Sequence, residues 1–252
     1  MKIIDLSLPT GKNMSDLPPV QINYGKHEDG AEFQSRMFGC SKDKFPSGLG
    51  GAVDTVTLSS HAGTHIDAPW HYAPVSEGKK AKKIEDLPLK WFFSDGVVLD
   101  MRHKPNGASI TIKDLQEALK KIDYKIKPLD IVLLRTGMDK YWGKKNYFDM
   151  GSGLVKSSTL WLLDMGVKVI GIDAYSLDRP IWAQKADFEK SHKASFIWEA
   201  HYAGIEKEFC QIEKMGNLDM LPSPSGFKVS CFPVKLKGAS GAWCRTVAIF
   251  GL

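Results

Sequence analysis

The chain has 252 residues, with 34 Lys and Arg against 29 Asp and Glu for a formal charge of +5. Hydrophobic residues make up 43% and charged residues 25%, which is globular usage and excludes a chain disordered throughout. The charge is too mild and too dispersed for a dedicated nucleic-acid binder, and no run of about 18 apolar residues is present to cross a membrane.

The pattern is that of one domain over residues 1–252. A strand is predicted at residues 2–6, followed by forty-odd residues rich in Gly, Pro, Asn and Asp that read as long loops. Residues 52–59 alternate β-branched and other residues and predict a strand, and a loop follows to about Tyr72. The dense basic run at residues 79–83 has no interleaved aromatics and reads as a solvated loop. Residues 96–100 predict a strand buried on both faces. Residues 112–122 carry Leu115, Ala118, Leu119 and Ile122 at helical spacing, with Thr111 and Asp114 placed as a capping box.

Further strands are predicted at residues 130–135 and 167–172, with a helix at 157–165 between them that ends before Gly166. Residues 194–205 read as helical or mixed, and 209–212, 227–236 and 243–250 as strands. Helices separate some strands and not others, which predicts a mixed sheet in an α/β or α+β domain. Cys40, Cys210, Cys231 and Cys244 show no C-x-x-C spacing, so free thiols in a reducing compartment are expected, with Cys244 an inert buried one. Asp5 and Pro9 interrupt the first residues too early for a signal-peptide apolar core, and the expected address is the cytoplasm.

Chemistry concentrates in Ser60-His-Ala-Gly-Thr-His-Ile-Asp-Ala-Pro-Trp-His71. His61, His65, Asp67 and His71 share parity, so an extended strand would send them to one side, while Gly63 and Pro69 argue against a regular helix. Imidazole and carboxylate are ligands for Zn²⁺, Mn²⁺ or Fe²⁺. The same residues could instead be hydrogen-bonded loop histidines.

The segment resembles the H-x-G-T-H-x-D-x-P-x-H signature of the cyclase family of metal-dependent hydrolases. The resemblance extends to Ile4-Asp-Leu-Ser7, to residues 130–137, to Val169-Ile-Gly-Ile-Asp173 with Ser176 and Asp178, and to residues 211–222. It implies an α/β domain of the swivelling β/β/α type with a mixed, partly barrel-like sheet. It implies His61, His65 and Asp67 as metal ligands, joined by Glu213 and by His201, with His192 a rival to His201 at a less suitable spacing. One or two divalent ions, zinc or manganese, are implied per subunit. His71 is implied as the proton-transfer group.

The implied activity is hydrolysis of a C–N bond in a small amide, formamide or cyclic amide through a metal-activated water, arylformamidase-like. A lyase, dehydratase or true cyclase on the same site, and a non-catalytic metal-binding protein, are the alternatives. The implied partners are a small-molecule substrate and further copies of the chain, as a homodimer or homotetramer, with no nucleic acid and no membrane. Trp70 is a candidate wall of the substrate pocket, and Arg245 or Arg135 a candidate partner for a substrate carboxylate. The chain departs from the family pattern where Ala242-Trp243 replaces a Ser-Pro pair.

Overall fold

The computed structural model describes residues 1–12 and 14–252. They form two compact units, Met1–Thr10 together with Ser60–Leu252, and Gly11–Ser59. The strands are β1 (Lys2–Asp5), β2 (Gln21–Asn23), β3 (Thr55–Thr57), β4 (His65–Asp67), β5 (Val75–Ser76), β6 (Lys79–Lys80), β7 (Phe93–Asp100), β8 (Ser109–Ile110), β9 (Ile131–Arg135), β10 (Gly153–Leu154), β11 (Val169–Ile172), β12 (Cys210–Glu213), β13 (Phe227–Ser230), β14 (Gly241–Trp243) and β15 (Val247–Phe250). The helices are α1 (His27–Phe38), α2 (Pro69–Tyr72), α3 (Ile112–Lys121), α4 (Lys156–Asp164), α5 (Ile181–Ser191) and α6 (Glu199–Glu206).

The larger unit is built on a curled nine-stranded sheet in the order β1-β15-β13-β7-β9-β11-β12-β4-β14. β7, β9, β11 and β12 run parallel to their neighbours among themselves, and the flanking pairs are antiparallel. This is the mixed α/β sheet expected. The parallel strands are apolar at successive positions because both faces are covered: Ile131 and Leu133 enter one buried cluster, Val132 and Leu134 the other. The capping box of α3 forms as predicted, with the Thr111 N–H donating to Asp114 Oδ2 at 2.7 Å and the Asp114 N–H donating to Thr111 Oγ1 at 3.3 Å. Lys82 of the basic run is held by Glu208 at 2.6 Å and lies over the Trp91 ring.

Several elements differ from the sequence expectation. The residues read as long loops include β2, which pairs antiparallel with β3, and the twelve-residue helix α1. Gly30 within α1 speaks against a helix, yet a Cβ there would lie 2.1 Å from the Gly51 carbonyl oxygen, so the absent side chain lets α1 rest on that backbone. Helix α5 was not predicted, since it buries only Ala183 and Gln184 and shows little helical periodicity. β13 ends at Ser230, short of Pro233, and the last predicted strand is split into β14 and β15. No helix of the described residues is long and apolar enough to cross a membrane.

Candidate active site

β4 lies between β12 and β14, and its register assembles the site. His65 is opposite Glu213 and Trp243, and Asp67 is opposite Gln211 and Gly241. Side chains alternate along a strand, so His65, Asp67, Gln211 and Glu213 share one face while Ile66 and Ile212 enter the apolar core on the other. The parity argument therefore holds for positions 65 and 67 only. His61 comes from the turn before β4, and His71 from α2, where Pro69 sits at the first position, which proline tolerates. β14 approaches closely because a Cβ on Gly241 would lie 2.7 Å from His61 Cε1. His201 is delivered by α6.

All six residues expected at a metal or proton-transfer site converge. His61 Nδ1–H donates to Asp67 Oδ1 at 2.5 Å, and His61 Nε2 lies 2.9 Å from Ser240 Oγ. His65 Nδ1–H donates to the Gly63 carbonyl at 2.8 Å, which leaves Nε2 facing Asp67 Oδ1 at 3.1 Å and Glu213 Oε2 at 3.8 Å. His71 Nε2 is 3.9 Å from Asp67 Oδ2. His201 Nε2 is 3.9 Å from Asp67 Oδ2 and 3.8 Å from Glu213 Oε1, and its Nδ1–H donates to Asp178. The His61 and His71 rings are 4.2 Å apart, and Trp198 stacks on His201 at 4.6 Å.

The charges are strongly mutual. Burial alone would raise the Asp67 pKa, but the His65 and His71 charges and the His61 hydrogen bond hold it well below the usual carboxylate range. Burial and the nearby Asp67 raise Glu213. Burial opposes a charged His61, yet Asp67 lifts its pKa above normal. Burial likewise opposes a charged His201, but Asp178, Glu213 and Asp67 bring it to about 9. His71 goes the other way: burial, joined by repulsion from His61, His201 and His65, takes it to about 4 despite Asp67.

The donor set fits a divalent cation. The buried Nε2 of His65 has no hydrogen-bond partner among the described residues, although two carboxylates face it. A lone pair turned toward two carboxylate oxygens, with no proton of its own to offer them, is an arrangement a cation satisfies. The sets His61–Asp67–His71 and His65–Asp67–Glu213 each bring their ligand atoms within 4.8 Å of one another.

Three residues singled out from sequence make other contacts. Trp70 has Lys83 over its ring, and among the described residues the tryptophan in ring contact with the imidazoles is Trp198. Arg245 is largely exposed and its fork is taken by Asp5, at 3.0 and 2.6 Å. His192 closes the exposed end of α5, which leaves His201 as the histidine beside Glu213. Burial pushes the Cys244 thiol up to about 12, in keeping with an inert thiol.

Sequence reasoning gave no role at the site to Gln211, Asp178, Trp198 and Ser240. Gln211 Nε2 donates to Asp67 Oδ2 at 2.8 Å and to Glu213 Oε1 at 3.1 Å, and lies 2.7 Å from His201 Nε2. Its parity with Glu213 on one strand was the available signal. Trp198 sits at φ +50, with its N–H donating to Gln184 Oε1 at 2.7 Å, and no sequence pattern marks that.

The Cyclase family model matches residues 4–179, a span that ends before His201 and Glu213. Kynurenine formamidase of Bacillus mycoides (strain KBAB4) is 31% identical over 127 residues, 50% of this chain and 53% of that protein. The kynurenine formamidase of Bacillus cereus (strain ATCC 14579) is 25% identical over 181 residues, 69% of each. The chain thus spans about half the length of the first of these relatives. Among solved structures, an isatin hydrolase bound to the product analogue thioisatinate superposes with a TM-score of 0.77 at 18% identity, covering 100% of this chain and 93% of that one. Isatin hydrolase A from Ralstonia solanacearum gives 0.78 at 19%, covering 99% and 92%. Another similar chain, at TM-score 0.66 and 18% identity over 100% of this chain and 98% of that one, is described as a potential metal-dependent hydrolase with cyclase activity.

Proposed function

This chain belongs to the Cyclase family, and from that premise we propose that it is a metal-dependent hydrolase cleaving the C–N bond of a small amide, formamide or cyclic amide. The observation that carries the reading is the unpartnered His65 Nε2 facing the Asp67 and Glu213 carboxylates, with the His71 imidazole beside them. His61, His65 and Asp67, with Glu213 and His201, would hold zinc or manganese. Gln211 already donates to Asp67 and Glu213 on the His201 side, which favours one cation over two. When bound, the cation supplies a Lewis acid that lowers the pKa of water and polarises a carbonyl.

The remaining chemistry belongs to the chain. His71 is half-buried beside Asp67, placed to take a proton from the attacking water and return it to the leaving nitrogen. Asp178 accepts the His201 Nδ1 proton and so fixes which nitrogen faces the carboxylates. The indole of Trp198 gives the site an aromatic face, which suits an aryl substrate.

The chain acts as a homo-oligomer in this reading. Phe33, Met37, Phe38 and Val53 are exposed on the unit Gly11–Ser59, a surface that a second copy would cover.

The test is metal analysis of the purified protein, followed by turnover of N-formylkynurenine, isatin and linear amides with added Zn²⁺ or Mn²⁺. At least one equivalent of metal and hydrolysis of one amide class are expected, with His71→Ala keeping the metal and losing most of the rate. A protein that neither carries nor takes up metal refutes the reading. So does a metal-loaded protein that turns over lyase substrates and no amide.

A further inference from the structure

A cavity of about 260 Å³ lies beside the ends of β7 and β9 and shares no lining residue with the imidazole cluster. Its floor is apolar, from Ile122, Leu218 and Leu221, and its charged groups are Arg135, Lys121 and Asp100. Asp100 is already satisfied. Arg102 Nε–H donates to its Oδ1 at 2.9 Å and Arg102 Nη2–H to its Oδ2 at 2.6 Å. Asp219, exposed on the 218–220 turn, acts on Arg102 as well. No hydrogen bond or ion pair joins the half-buried Arg135 guanidinium, or the Lys121 ammonium, to another side chain among the described residues. Asp100 lies opposite Arg135 in the β7–β9 register and attracts it, but both Asp100 oxygens are taken by Arg102, so the Arg135 fork lies above an apolar floor with no hydrogen-bonded anion among the described residues, and Lys121 stands at the rim.

A half-buried guanidinium with no hydrogen-bonded anion has lost part of its hydration without an acceptor for its planar fork. Its planar fork matches a carboxylate through two parallel hydrogen bonds. The apolar floor calls for a hydrocarbon body, which phosphate lacks. The volume falls below the usual ligand range of about 300–1,000 Å³, so the body is no larger than about one ring. We propose that this cavity is a second ligand site, for a small carboxylate with an aryl or branched apolar body. The carboxylate sits on the Arg135 fork with Lys121 at the rim, and the body lies against Ile122, Leu218 and Leu221.

The experiment is an NMR titration of the metal-loaded protein with benzoate, with benzamide and inorganic phosphate as parallel probes. Saturable benzoate binding is expected, with shifts clustered at Ile122 and Leu221. Benzamide should bind at least roughly tenfold more weakly, and Arg135→Gln should weaken benzoate by a similar factor. Lys121→Glu, on an exposed position, should also weaken benzoate, and it carries the test if Arg135→Gln does not fold. Shifts clustered instead at His71 and Trp198 would assign the benzoate to the metal site and overturn the proposal. So would the absence of saturable binding, binding that neither variant changes, or phosphate binding as tightly as benzoate.

Discussion

Asp178→Asn isolates how the fold aims an imidazole at the candidate metal site. In the wild type, Ala200 N–H donates to Asp178 Oδ1 at 2.7 Å, His201 N–H donates to Oδ2 at 3.3 Å, and His201 Nδ1–H donates to Oδ2. One carboxylate therefore closes the start of α6, whose own cap residue Trp198 provides no side-chain hydrogen bond, and sets the His201 tautomer. The asparagine oxygen can keep the Ala200 contact, but its NH₂ then faces His201 Nδ1 as a second donor. Losing one hydrogen bond to a charged group costs about 1.5–3 kcal/mol, and losing the negative charge at the helix start costs about 0.3–1 kcal/mol more. The metal-free variant should melt roughly 5–15 °C lower. With the other imidazole nitrogen turned from acceptor to donor, cation affinity should fall about 10–100-fold, equivalent to about 1.4–2.7 kcal/mol. Calorimetric Zn²⁺ titration of chelator-treated protein, beside thermal melts of the same samples, measures both. An Asn variant with wild-type zinc affinity would show that His201 takes no part in holding the ion, and the orientation argument would fail.

Other outcomes follow from the same structure. Chelation should lower the melting temperature and restored Zn²⁺ should raise it, the stabilisation growing with the logarithm of the metal excess to about 2.7 kcal/mol at a hundredfold excess over Kd. A melt indifferent to both would count against any resident cation. Asp173 is fully buried and accepts from Thr136 N–H and Gly137 N–H, each at 2.7 Å, yet burial raises its pKa to about 6. Between about pH 4 and 6 the folded state then holds a proton that the unfolded chain has released, so stability falls as pH rises through that window, by at most about 3 kcal/mol. Urea unfolding at about pH 4 and about pH 7 should show this slope flattened in Asp173→Asn, and an unchanged slope would assign it elsewhere. Leu133→Ala removes a fully buried side chain from the centre of the sheet and should cost about 2–5 kcal/mol by chemical denaturation, where a loss under about 1 kcal/mol would mean the site collapses without a cavity.

What the sequence shows and hides follows from the range of the forces involved. The apolar runs of β7, β9 and β11 and the reciprocal Thr111–Asp114 cap are local signals, and the structure keeps them within about three residues. The histidine-rich segment was visible because four ligand-type side chains crowd a short span. Its meeting with His201 and Glu213 came from the family resemblance rather than from periodicity. α1 and α5 escaped because each is stabilised by contacts that helical periodicity does not record, α1 through the Gly30 approach to Gly51 and α5 with two buried residues. Asp178 acts on a helix more than twenty residues away, and Trp198 takes its place through a hydrogen bond to Gln184, so neither role has a sequence period.

The β4–β12 register has a consequence for errors in folding. Sliding β4 by a single residue against its neighbours would turn Ile66 toward water and drive His65 and Asp67 into hydrocarbon. The misaligned chain would forfeit its apolar packing and its ligand geometry together. Any population able to capture a cation has therefore already been proofread at that strand, and metal uptake by a refolding sample counts correctly registered molecules.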